Sequence, residues 1–362
     1  LSDADRAWLI LSKAQLQDET LAELLQQFGS AAAIVSARAA ELPESLRKSI
    51  LHPDESAISQ DLQWQSVAQH HLVHPDSPDF PELLRDIPGR PILLYVVGDC
   101  ATLHLPSLAI VGSRNPTRGG IQNAYEFAKH LGNCGFCIVS GLAQGIDTAA
   151  HNGAMAGDAR TIAVLGHGID RVYPAANREL AHRIAAHGAL ISEYPLGSPP
   201  RKEHFPQRNR LISGLALGTL VVEAARQSGS LITARLSSEQ GREVFAIPGS
   251  IHNPMSRGCH KLIRQGAKLV ESAEDIVSEL GSLTGHLMQN AQVSDKTEAS
   301  APLDAEYEAL LDAMAFDPAT ADELANRSGL TIAKVSSMLL ILELEGLIET
   351  QAGGRYSQLR NA

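Results

Sequence analysis

A chain of 362 residues exceeds one average domain and should hold two or three. Its formal charge of -11, with a pI near 5.7, excludes a protein coated in positive charge, so any polyanion must meet a local basic patch. Hydrophobic residues at 44% suffice for real cores, whereas aromatic residues at 4% restrict base stacking to a local device.

The first residues, Leu1 to Arg6, lack a basic region followed by an apolar stretch, and no apolar run of about 18 residues follows anywhere. The expectation is a soluble cytoplasmic protein without a membrane segment. Residues 1–70 read as short helices, because Ala7, Leu9, Ile10 and Leu16, then Leu21, Leu24, Leu25 and Phe28, recur at helical spacing. Gly29 and Ser30 close one helix and cap the next. Residues 71–107 are rich in proline and contain one strand-like run, Ile92–Val97, so they read as a connector that adds an element to the following domain.

From Leu108 short apolar runs alternate with helical segments, the pattern of βαβ units and a parallel sheet. Strands are expected at Leu108–Val111, Phe136–Val139, Thr161–Leu165, Ala189–Ser192, Leu220–Glu223, Glu243–Ile247 and Lys268–Val270. Helices are expected at Ile121–Leu131, Thr148–Ala156, Arg178–His187, Arg208–Leu217, Leu231–Gln240 and Cys259–Gln265. Cys134 and Cys137 form a C-x-x-C, but they straddle a helix end and a strand start without a second pair. With Cys100 and Cys259 they are too few for a disulfide framework and read as ordinary buried cysteines of a reducing compartment, with no metal site. Residues 283–302 lose periodicity and read as a flexible linker. Residues 303–362 read as three helices followed by a hairpin, with a stop at Gly346 and a turn at Gly353–Gly354, a winged-helix pattern.

The chemistry is expected at the strand ends, where ligands bind in open α/β sheets. The first strand runs into Gly112, Ser113 and Arg114, in which glycine admits backbone amides to a phosphate and arginine supplies a forked charge. The second ends in a loop containing Gly141 and Gly145, with Asp147 expected as the cap of the next helix. Gly166-His167-Gly168 follows the third strand, with His167 read as a loop residue, and Ser228, Gly229 and Ser230 follow the fifth. Arg201, Lys202, His204, Arg208 and Arg210 form the one dense basic cluster, with Asn209 inside it. Arg208 and Arg210 are expected on different faces, one paired internally and the other at the ligand. Neither G-x-G-x-x-G after the first strand nor G-x-x-x-x-G-K-[ST] is present, so an ordinary dinucleotide site and a P-loop are unsupported.

In these residues the chain resembles the DNA-processing protein A (DprA/Smf) family. The matching segments run in order from Ala109–Arg114 through Ser140–Asp147, Ala163–Gly168, Ile191–Pro195, Phe205–Leu215, Val221–Ala225 and Ser228–Ala234 to Gly241–Gly249. The resemblance implies a Rossmann-like parallel sheet core over 71–282, preceded by a small helical (SAM-like) domain and followed by a winged-helix domain. It further implies a binding protein rather than an enzyme, without cofactor. Such a protein would hold single-stranded DNA at Gly112, Ser113, Arg114, Gly141, Gly145, Arg208, Asn209, Arg210, Ser228, Gly229 and Ser230. Protection of incoming DNA in natural transformation, loading of the RecA recombinase, and a homodimer formed through the Rossmann-like domain come with the same resemblance. Where some relatives carry a lysine in a Tyr-Pro-x-x-Asn loop, this chain has Ala175 and Ala176, and Lys202 is the expected substitute.

Two other readings stand beside this one. Gly218–Glu223 is similar to a motif of phosphoribohydrolases that cleave nucleoside monophosphates with a glutamate, although the Pro-Gly-Gly that precedes it there is replaced by Leu215-Ala216-Leu217. A winged helix also suits a transcription regulator, but the helix expected at 331–345 carries Lys334 as its only base, which favours protein contact over duplex reading. Apolar positions near Leu262, Ile263 and Ile276 are candidates for the dimer surface.

Overall fold

In a computed structural model, the protein is described over residues 3–14, 16, 18–281, 305–314, 318–344, 347–351 and 354–358. The expected linker, Gly346 and Gly353 lie outside these residues. The chain divides into two compact units, Leu1–Ala291 and Gln292–Ala362.

The first unit opens with α1 (Asp3–Lys13), α2 (Asp18–Phe28), α3 (Ala31–Val35), α4 (Glu44–Leu51) and α5 (Glu55–Gln65). Gly29 sits at a φ of 80° and the Ser30 hydroxyl accepts from the Ala33 amide, so this pair breaks and restarts the helix as its residue types require. Trp8, Leu11, Leu21, Leu24 and Ile34 form a separate small core. On the other side of α1, Leu9 and Ile10 join Ile58 in packing against the sheet.

The connector supplies two strands, β1 (His70–Val73) and β2 (Leu94–Gly98), rather than one. Then follow β3 (Ser107–Val111), α6 (Arg118–Asn133), β4 (Cys137–Ser140), α7 (Ile146–Ala156), β5 (Thr161–Leu165), α8 (Arg178–His187) and β6 (Ala189–Ser192). The unit continues with α9 (His204–Gly214), β7 (Gly218–Val221), α10 (Ser230–Glu239), β8 (Glu243–Ala246), α11 (Arg257–Arg264), β9 (Lys268–Leu269) and α12 (Ala273–Leu280). The sheet order is β1-β2-β6-β5-β4-β3-β7-β8-β9, parallel from β6 to β9, with β1 and β2 added antiparallel at one edge. The expected Rossmann-like parallel sheet is therefore present.

Alternate side chains of each strand enter opposite cores. Ala109, Val111, Val139 and Val164 face a layer built with Leu211, Ala234 and Leu262 of α9, α10 and α11. Leu108, Ile110 and Ile138 face α6, α7 and α12 through Leu131, Ile146 and Ile276. Leu262 and Ile276 are thus core residues, which corrects their expected place at a dimer surface, while Ile263 is half-buried against the same core. Cys137 is buried and Cys134 half-buried, and no group of three metal-ligating side chains occurs among the described residues.

The second unit contains α13 (Ala305–Met314), β10 (Ala319–Thr320), α14 (Ala321–Ser328), α15 (Ile332–Leu344), β11 (Ile348–Gln351) and β12 (Arg355–Gln358). The strands form a sheet in the order β10-β12-β11, and Leu310, Leu324, Val335, Leu339 and Ile348 make its core. Among the described residues, no helix is long and apolar enough to cross a membrane.

Candidate functional site

The chain winds from β3 through β4 and β5 to β6, then returns to the other side of β3 to continue with β7 and β8. The direction of winding reverses between β3 and β7, and loops leaving their carboxyl ends diverge into a crevice. A cleft of about 760 Å3 lies there. It gathers Gly112, Ser113, Arg114, Lys202, Arg208, Asn209, Ser228, Gly229 and Ser230. Gly141, Gly145 and Arg210 do not line it.

The glycines at the strand ends serve packing more than ligand approach. A Cβ at Gly112 would stand 2.6 Å from Ile146 Cγ1, and one at Gly141 would stand 2.6 Å from the Arg208 guanidinium. Gly145, at a φ of 84°, would clash with the Ser113 carbonyl at 2.4 Å. Gly229 alone of these has open space where a Cβ would be. It precedes α10, whose first turn opens on the cleft with the Ser228 and Ser230 hydroxyls 2.7 Å apart.

The basic cluster separates into three roles. Arg210 is structural: it donates to the Gly89 carbonyl at 2.8 Å and pairs with Glu193 at 2.6 Å, tying α9 to the connector and to the end of β6. Arg208 is buried beneath the cleft floor and donates to the carbonyls of Gly141, at 2.9 Å, and Val164. Burial pushes its guanidinium down to about 10, against the stabilising influence of Asp147, so it remains charged at neutral pH. Arg114 and Lys202 are exposed, and no ion pair or hydrogen bond engages either among the described residues. Arg114 lies 5.4 Å from the centre of the Phe205 ring, a cation–π contact that holds the guanidinium at the cleft wall.

Asp147 does not cap α7 in the expected way. It lies one residue inside the helix, and its carboxylate accepts from the amides of Gly141 at 3.1 Å and Ala143 at 3.3 Å, bracing the loop before it. Burial raises its pKa, and Arg208 is the chief influence opposing that rise. His167 is buried and its ring nitrogen contacts the Gly168 carbonyl at 3.0 Å. Asn177 donates to Leu142 and Thr148, so the Ala175–Ala176 loop is held by its own asparagine.

Sequence reasoning passed over Tyr173 and Phe205 as site residues. Their rings lie 5.8 Å apart on the cleft, and Gly166 leaves room for Phe205, whose ring carbon is 3.1 Å from a Cβ placed there. Low aromatic content and proximity to basic residues were the available signals.

Glu223, the glutamate of the hydrolase-like motif, accepts from the Thr117 amide at 2.9 Å and the Thr117 hydroxyl at 2.7 Å. Its carboxylate occupies the space beside Gly120 and helps cap α6, while Asp147 is the only carboxylate among the described residues that line the cleft. The cleft therefore combines three cationic side chains with a single acid already engaged by amides.

The fold and cleft define a doubly wound α/β protein with a cationic crevice at its topological switch point. The chain belongs to the DNA recombination-mediator protein A family (DprA/Smf), whose model matches residues 71–281, and a DprA winged-helix model matches residues 294–354. It is 41% identical over 312 residues to Protein Smf of Escherichia coli, covering 84% of this chain and 82% of that one. The structure of DNA processing protein A from Streptococcus pneumoniae aligns with a TM-score of 0.68 and 37% identity, covering 76% of this chain and 97% of that chain. That of DNA processing protein A from Helicobacter pylori, described for its single-stranded DNA binding mode, aligns at 0.53 and 30% identity, covering 59% of this chain and 96% of that chain.

Proposed function

We propose that the cleft binds the backbone of single-stranded DNA and that the protein acts in DNA processing as a binder rather than as a hydrolase. The observation that carries this reading is the pair Arg114 and Lys202, exposed on a cleft whose one acid is committed to loop amides. Arg114 and Lys202 meet phosphates, the Ser228–Ser230 turn at the start of α10 offers amides and hydroxyls, and Tyr173 and Phe205 accept an unstacked base. Arg208 keeps the floor rigid and positive, and Asn209 supplies a neutral amide beside it. The single-stranded DNA binding described for the Helicobacter pylori relative supports the same ligand class.

Protection of incoming DNA and delivery to RecA in a reducing cytoplasm extend the family reading. We place the homodimer contact at the β9 edge of the sheet, where Leu269 is 50% exposed beside an unpaired strand edge. Leu269→Lys should convert a dimer to a monomer by light scattering; an unchanged mass removes that edge from the interface. For the cleft, Arg114→Ala and Lys202→Ala are titrated with fluorescent oligo-dT. Weaker binding in both is expected, and parental affinity in both contradicts the assignment.

A further inference from the structure

We infer that the DNA path does not end at the strand-end cleft but continues past the start of α7 onto the exposed cationic face of α8. This inference rests on the single-stranded DNA reading of the cleft. The two regions adjoin through one loop: a Cβ at Gly145 would lie 2.9 Å from the backbone carbon of Arg114, and Gly145 also lines a hollow of about 670 Å3 between α6, α7 and α8. That hollow shares Arg183 with a second one, of about 600 Å3, that runs along α8 from Ala175 to His187. A strand leaving Arg114 thus finds a continuous surface leading to the α8 face.

Charge favours a polyanion as its occupant. Arg178, His182, Arg183 and His187 all line the α8 hollow, with Glu179 as its one acid. The α6–α7–α8 hollow has Arg183 as its only ionised lining residue among the described residues, set among Gln122, Tyr125 and Asn152. Arg178 and Arg183 are exposed and form no ion pair among the described residues; Arg183 donates to the neutral Asn152 amide oxygen at 3.2 Å, which aims it without cancelling its charge. On a chain of net charge -11, Arg178 and Arg183 facing the one acid Glu179 are a local reversal of sign adjoining the proposed site. Tyr125 and the 44% exposed Ile121 give the first hollow an apolar wall for an unstacked base.

The test compares two oligo-dT lengths, about six nucleotides, within the range of single-strand site sizes, to fill the cleft and about twenty, beyond that range, to run past it. The parent, the double variant Arg178→Ala/Arg183→Ala and the cleft variant Arg114→Ala are titrated at several salt concentrations. In the double variant the salt slope for the long strand should fall by about 1.4, two phosphate contacts at about 0.7 each, while the short strand binds as to the parent. An unchanged slope with the long strand overturns the inference, and so does an equal loss with both lengths, which marks a general field effect. If Arg114→Ala leaves the short strand unaffected, it is the cleft reading that fails, whatever the double variant does. Melting temperatures of both variants should match the parent, because every substituted side chain is exposed.

Discussion

Arg208 and Arg114 stand near one cleft in different surroundings, one buried and hydrogen-bonded, the other exposed against Phe205. Arg208 is 4% exposed and satisfies two strand-end carbonyls. Replacing it with methionine strips charge-assisted hydrogen bonds of about 1.5–3 kcal/mol each, so the melting temperature and DNA affinity should fall together. Arg114 is exposed and stacked on Phe205, so Arg114→Ala should lower affinity about tenfold, one good charged contact, and leave the melting temperature unchanged. Thermal melting beside a DNA titration separates the two; equal destabilisation would give Arg114 a structural role as well.

His151 carries a separate prediction. Fully buried on α7 and bonded to the Thr161 hydroxyl at 2.7 Å, its imidazole is pushed down by burial to about 3, with the charge of Arg208 acting in the same direction. Its folded value lies below the unfolded one, so the stability gained from keeping it neutral is complete above about pH 6.5 and is lost as pH falls toward 3. The slope is at most about 1.4 kcal/mol per pH unit for one proton. Denaturant unfolding at pH 7 and pH 5 should show a larger loss for the parent than for His151→Gln, and parallel losses would contradict it.

At the scale of elements, the cap of α6 ties distant parts of the sequence together. Thr117 supplies the cap and Glu223, just past β7, holds both its amide and hydroxyl. Glu223→Ala should cost about 1–2 kcal/mol in chemical denaturation, the range of a lost helix cap. A variant as stable as the parent would show that the bond is replaced by water.

The parallel strands were legible because each is a short apolar run followed by a small residue, and β3 to β8 fall within a residue or two of expectation. Helix starts were harder. α6 begins at Arg118 rather than Ile121 and α9 at His204 rather than Arg208, because their first turns carry glycine, proline and polar residues whose helicity comes from packing and capping. β1 was missed since His70–Val73 has little apolar signal and forms only by antiparallel pairing with β2. The strand-end glycines marked the right place for a different reason: Gly141 makes room for Arg208 and Gly112 for Ile146, contacts that depend on tertiary neighbours.

Over the whole molecule, charge is unevenly placed. Residues 303–362 carry ten acidic side chains against four basic ones, so this module repels a polyanion, while the cleft of the first unit collects Arg114, Lys202 and Arg208. On the described part of α15, Ile332 and Ile341 are the exposed large apolar side chains, at 50% and 41%, a composition suited to protein contact rather than base reading. With this distribution of charge, the proposed strand-end cleft should give the protein a preference for single strands. That preference is tested most directly by titrating the full chain with oligo-dT and with a duplex of equal length across a salt series, beside Arg114→Ala. Tighter binding to the single strand is expected, with affinity that falls with salt and a slope reduced by about 0.7 in the variant. Equal or tighter binding to the duplex, or a variant indistinguishable from the parent, would contradict it.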